Sequence, residues 1–150
     1  MISRVDETII RFMRRIHLPL SRFAIFLVFF WFGILKVFEM SPASPLVISL
    51  LQRTVPYISP EMFLVGFGIY EVIIGASFLI PKMERVAIVL LTIHLVTTIL
   101  PLFLLKSLTW QMAMVPTMEG QYIIKNILII ALAVGIAANL HSRRHQSRTL

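Results

Sequence analysis

The sequence predicts an all-α polytopic membrane protein. We expect an antiparallel bundle of four transmembrane helices, with an N-terminal interfacial helix and a short outer-side helix, all in one membrane domain over residues 1–150. Three observations carry this expectation. The chain is 58% hydrophobic and 14% charged, where soluble domains run at roughly 45–50% and about 25%. Its apolar residues gather into four runs near the length of about 20 residues that crosses a bilayer as a helix. The basic residues behind the net charge of +7 sit at the ends and in one short turn, as membrane topology places them. They do not line a face interleaved with aromatics, so the expected partner is the lipid bilayer and not nucleic acid.

Residues 3–17 put Val5, Ile9, Phe12, Met13 and Ile16 on one helical face and Arg4, Arg11, Arg14 and Arg15 largely elsewhere. That pattern suits an amphipathic helix lying among anionic headgroups. No small-residue cleavage site follows a short apolar core, so no cleavable signal is expected. Pro19 is expected to end this helix, because proline lacks an N–H and clashes with the preceding turn. The first span then covers 21–38, aromatic from Phe23 to Leu35 and carrying Lys36 near its end. Pro42, Pro45, Pro56 and Pro60 punctuate the next segment, where Leu46 to Leu51 is apolar but too short to span. The second span is 62–80. Pro81-Lys82-Met83-Glu84-Arg85 is a tight turn, which makes the third span, 86–105, its antiparallel neighbour. Pro101 should loosen the last turns of that span and free a carbonyl. Residues 106–120 form a second long connection, the fourth span is 122–140, and 141–150 is a basic tail. Trp110 and Tyr122 suit the membrane interface.

Lys and Arg set the orientation. They crowd the N-terminal flank, the turn at 82–85 and the tail, while the two long connections hold only Arg53 and Lys106. Both termini and the short turn are therefore expected in the cytoplasm.

The polar residues inside the spans are the candidates for function. Glu71 stands in Gly68-Ile69-Tyr70-Glu71-Val72-Ile73-Ile74-Gly75, with no other charge over 62–80. A carboxylate at that depth must face protein or water, and the glycines on the same face let a neighbouring helix come close. His94, Thr97, Thr98 and Pro101 form a polar stripe on span three. Lys36 lies near the outer end of span one. Tyr122, Lys125 and Asn126 open span four. Each helix thus offers one ionisable group to a shared interior. Each also has a plainer reading: Lys36 can snorkel to the interface, Glu71 can be a structural carboxylate paired with Lys36 or Lys125, and His94 can be a hydrogen-bonded core residue. The absence of cysteine removes disulfides, thiolate metal sites and Fe–S ligation, and no metal is expected.

Four short motifs resemble DoxX-like membrane proteins. Trp31-Phe32-Gly33-Ile34-Leu35-Lys36 looks like that family's W-x-G-x-x-K signature, and Ser44-Pro45-Leu46 like its S-P-L element. Gly68-x-x-Glu71-x-x-x-Gly75 is similar to its second-helix pattern, and Gly120-Gln121-Tyr122-Ile123-Ile124-Lys125-Asn126 to its G-x-[FY]-x-x-K-[DN] opening of span four. Span three departs from the family, with Thr97-Thr98 followed by Ile99-Leu100-Pro101 in place of a Thr/Ser-Phe-Leu tract. The resemblance implies a small four-helix protein of the bacterial inner membrane. It also implies links to quinone-coupled sulfur oxidation or to oxidative and reactive-chlorine stress, often beside a soluble redox partner protein. Lys36, Glu71, Lys125 and Asn126 carry over as pocket residues.

The leading expectation is a membrane subunit, of a quinone-linked oxidoreductase if it serves an enzyme, that binds a quinone or similar lipophilic redox molecule in a polar pocket within the bundle. Lys36 and Lys125 would stabilise an anionic oxygen and Glu71 would relay a proton, making Glu71 and Lys125 the catalytic candidates. Trp31, His94, Thr97, Tyr122 and Asn126 would complete the lining. Two alternatives stand beside it: a non-enzymatic scaffold or assembly partner of a redox complex, and a small-anion transporter or channel. The latter would gain from a homo-oligomer, which the sequence leaves open.

Overall fold

Helix α1 (Ile2–Val37) runs unbroken through Pro19. The structure, a computed structural model, describes residues 2–140, with side chains described from Val5 onward; the basic tail expected at 141–150 lies outside the described residues. The helix break expected at Pro19 is thereby corrected: residues 3–17 and 21–38 belong to one continuous helix. Proline costs a helix one internal donor, here the partner of the Arg15 carbonyl. Arg14, Arg15, Pro19 and Leu20 are exposed, so that carbonyl lies where other groups can satisfy it. A helix of 36 residues is about 54 Å long, well beyond the roughly 30 Å of a hydrocarbon core. Its N-terminal half therefore extends past the helices it packs against, with Val5, Phe12 and Met13 exposed.

After α1 come α2 (Ser44–Thr54), α3 (Pro60–Leu79), α4 (Glu84–Ile99), the single turns α5 (Pro101–Leu104) and α6 (Lys106–Thr109), a small hairpin of β1 (Trp110–Met112) and β2 (Val115–Pro116), and α7 (Met118–Ala138). Val5–Val37, Pro60–Leu79, Glu84–Leu104 and Met118–Ala138 are each long and apolar enough to cross a membrane. The chain is mostly helical and has the make-up of a multi-pass membrane protein.

Local chemistry explains where the elements begin and end. Ser59 accepts a hydrogen bond from the Met62 N–H and precedes Pro60 at the first helical position, so α3 starts before the apolar run does. Thr117 accepts from the Gly120 N–H and starts α7 in the same way. Pro101 does interrupt the third span, but the carbonyl of Thr97 that it orphans is taken by the Leu100 N–H at 3.3 Å. The segment expected as plain connection, 106–120, is instead an ordered knot. Thr109 is fully buried and the Trp110 Nε1–H donates to the Leu102 carbonyl at 3.0 Å. The Thr117 hydroxyl donates to the Leu108 carbonyl, and Gly120 lies against the Thr109 carbonyl, leaving no space for a side chain.

The four long helices form a ring in the order α3, α1, α7, α4, with α1 on α3 the most extensive contact. Gly33 approaches Gly68, and Gly75 approaches Phe26 and Phe30, so α1 and α3 run antiparallel. A Cβ on Gly33 would stand 2.6 Å from the Gly68 carbonyl oxygen, and one on Gly68 would stand 2.6 Å from that of Gly33. Only glycine at both positions allows this approach. The end of the bundle bearing the α3–α4 turn is filled by an apolar core of Ile25, Phe29, Ile74, Phe78, Ala87, Leu91, Ala133 and Ile136. Arg22 fastens that turn end: it donates to the Phe78 carbonyl at 2.6 Å, the Ile80 carbonyl at 3.3 Å and Glu84 Oε1 at 2.9 Å.

Candidate functional site

The Gly33–Gly68 contact brings the last turn of α1 against the middle of α3. That turn is closed by the Met40 N–H donating to the Leu35 carbonyl at 2.8 Å, with Glu39 in the left-handed region at φ 59°. This six-residue closure is a common way to end a helix, and it fixes Lys36 just before the exit. Lys36 is 4% exposed and does not snorkel. Its Nζ donates to Glu71 Oε2 at 2.7 Å.

His94, from α4, completes the cluster. Its Nε2 lies 3.6 Å from Glu71 Oε1, close enough for electrostatic contact and too long for a good hydrogen bond. Its Nδ1 is buried with no hydrogen-bond partner. Aromatic rings hold the imidazole: Phe67 stacks on it at 5.1 Å, Phe29 meets it edge-on at 5.0 Å, and Tyr70 leans on it at 6.2 Å. The Tyr70 hydroxyl donates to the Leu90 carbonyl at 2.7 Å and ties α3 to α4. Lys36 Nζ also sits 5.7 Å from the centre of the Phe67 ring, within the range of a cation–π contact.

By helical rise, Glu71 stands about 12 Å from the end of α3 at Leu79, and His94 about 15 Å from the start of α4 at Glu84. The cluster therefore sits above the apolar core, near the middle of the spans. Burying a charge costs several kcal/mol after relaxation. One lysine against one carboxylate offsets that cost, while His94 Nδ1 has no hydrogen-bond partner and its Nε2 faces Glu71 Oε1 at 3.6 Å.

Lys36, Glu71 and His94 are thus brought together, while Trp31, Tyr122 and Lys125 are not brought to them. Trp31 is 62% exposed on the outside of α1. Lys125 is exposed, with its Nζ 5.4 Å from the ring of Tyr122, itself exposed. Thr97 is exposed on α4, its hydroxyl bonded to the His94 carbonyl at 2.7 Å, and Asn126 is half-buried on α7. The aromatic cradle of Phe29, Phe67 and Tyr70 was not anticipated. The signal for it was present: Phe63, Phe67 and Glu71 recur at four-residue spacing on one face of α3. Among the described residues, no three His, Asp or Glu side chains gather into a metal site.

Comparison with family models, with curated proteins and with solved structures finds no match. The resemblance to DoxX-like proteins therefore rests on the motifs themselves. Two of these motifs meet in space. Gly33 packs against Gly68 and Val72, and Lys36 bonds Glu71, so W-x-G-x-x-K and G-x-x-E-x-x-x-G form the two halves of one helix contact.

Proposed function

We propose that this chain is a small integral membrane subunit that binds a quinone or a similar lipophilic redox molecule at Lys36, Glu71 and His94, in the service of redox or oxidative-stress metabolism. The observation that carries the reading is the buried His94 Nδ1 without a partner, beside a carboxylate and an ammonium. Native proteins rarely leave such an atom unsatisfied. A ring carbonyl or hydroxyl would supply its partner, as a neutral imidazole donates from one nitrogen and accepts at the other. Lys36 would hold negative charge developing on the ligand oxygen, and Glu71 Oε1 would hold its proton. Lys125 and Tyr122 lie outside this arrangement. The Lys and Arg distribution supports cytoplasmic termini, with the buried cluster lying above an apolar core on the cytoplasmic side. That apolar core gives a small anion no polar path across the bundle. A soluble redox partner is the natural source or acceptor of electrons for such a subunit.

A second reading has its own observation. Lys36 and Glu71 already bond each other at 2.7 Å, as a structural lock between α1 and α3 in a scaffold protein would. One experiment separates the two: decylubiquinone binding to purified protein in lipid nanodiscs. The redox reading expects saturable binding, weakened about tenfold or more by Glu71→Gln and by His94→Phe, the effect of one lost charge-assisted hydrogen bond, and retained by Lys125→Ala. No saturable binding to the wild type, with earlier melting of Glu71→Gln, would leave the scaffold reading.

A further inference from the structure

We infer that the ligand reaches this site sideways from the bilayer, and that a groove on α3 seats a hydrocarbon tail attached to a flat, carbonyl-bearing ring. The inference rests on the binding reading above and adds a route and a second contact region. The groove has a volume of about 370 Å³ and is lined by Ile58, Met62, Phe63, Gly66, Phe67 and Tyr70. The groove is shallow and open along its length, so it suits a tail lying along α3 rather than an enclosed ligand. Gly66 opens the groove, with no atom within 4 Å of where its Cβ would stand.

Two of the lining residues, Phe67 and Tyr70, also cradle His94. Phe63 and Phe67 stack at 5.7 Å and 11°, and Phe67 and His94 at 5.1 Å and 19°. Three near-parallel rings thus lead from the groove wall to the buried imidazole. The two ends of the bundle are obstructed. The apolar core fills the turn end, and α2 packs on both α3 and α5 at the other. Tyr70 is tethered by its bond to the Leu90 carbonyl, whereas Phe67 lies between Phe63, His94 and the Lys36 ammonium without a hydrogen bond of its own.

A phospholipid acyl chain would fill such a groove but would leave His94 Nδ1 without a partner. A flat ring bearing a carbonyl or hydroxyl continues the stack and satisfies that nitrogen. Its tail then lies where Gly66 leaves room.

Gly66→Leu tests this, because it fills the groove without touching Lys36, Glu71 or His94 and replaces glycine with a better helix former. The probes are decylubiquinone and tail-less ubiquinone-0, each titrated into wild type and variant in phosphatidylcholine nanodiscs. The inference expects Gly66→Leu to weaken decylubiquinone at least about tenfold and to leave ubiquinone-0 nearly unchanged. Gly66→Ala, which adds one methyl, is expected to give a smaller loss of the same kind and serves if the leucine variant folds poorly. Unchanged decylubiquinone binding would overturn the groove and leave the site intact, the groove then holding only lipid. Equal loss of both probes would also overturn the tail's seat. Failure of the wild type to bind either probe would overturn the site and the groove together.

Discussion

Replacing Lys36 with methionine keeps much of the side chain's length and removes its charge. Glu71, 5% exposed, then loses its partner at 2.7 Å. Two unit charges at that distance attract by about 6 kcal/mol at an effective dielectric constant of about 20. Relaxation reduces this, and losing one partner of a buried pair costs about 3–5 kcal/mol in practice. Lys36→Met should therefore lower the unfolding free energy by about 3 kcal/mol or more. Removing both charges, as Lys36→Met with Glu71→Leu, should recover most of the loss, since a well-packed apolar pair often matches a buried ion pair. The assay is a double-mutant cycle of reversible unfolding in bicelles, with Glu71→Leu as the second single variant. A coupling energy of about 2–3 kcal/mol is expected, at the upper end for residues in contact. A Lys36→Met protein as stable as wild type, or a coupling below about 0.5 kcal/mol, would refute the pairing.

Three further outcomes follow from the helix contacts. Gly68→Ala puts a Cβ 2.6 Å from the Gly33 carbonyl oxygen and 2.9 Å from Lys36 Cβ. The helices must part, at a cost of about 1–3 kcal/mol, whereas Gly66→Ala meets nothing and should be neutral or stabilising; equal melting of the two would count against the close approach. Glu39→Gly relieves a left-handed residue at φ 59° and should stabilise by about 1 kcal/mol; a fall in melting temperature would show that the glutamate side chain matters more than its backbone. Arg22→Ala removes three donated bonds at the turn end and should cost about 1–3 kcal/mol, with faster amide exchange at 80–86. Unaltered exchange there would argue against the clasp.

Much of this arrangement was legible in the chain. The apolar runs located the four long helices, and the glycines around Glu71 marked the face that α1 would approach. What periodicity left open was the choice of partner. Lys36 and Lys125 both lie near helix ends, and only the Gly33–Gly68 contact selects Lys36 for Glu71. Lys125 lies three turns from the buried Ile136, on the same side of α7, yet is exposed. Periodicity gives a residue's side of its helix, not how far the helices converge at its level. Pro19 misled because its rule concerns a lost hydrogen bond, and an exposed carbonyl can find another. Helix starts at Pro60 and Met118 were missed by following hydropathy rather than the capping residues Ser59 and Thr117. The knot from Thr109 to Gly120 depends on side chain-to-backbone bonds across the loop, such as Thr117 to Leu108, that no local pattern announces.

The most direct test of the account is at His94 itself, by nitrogen-15 NMR of the imidazole in nanodiscs with and without saturating decylubiquinone. The account predicts that the Nδ1 resonance moves as this buried nitrogen gains a hydrogen-bond partner, while that of His17, already bonded through Nδ1 to the Arg14 carbonyl at 2.7 Å, stays in place. An His94 signal unmoved by the quinone would contradict it.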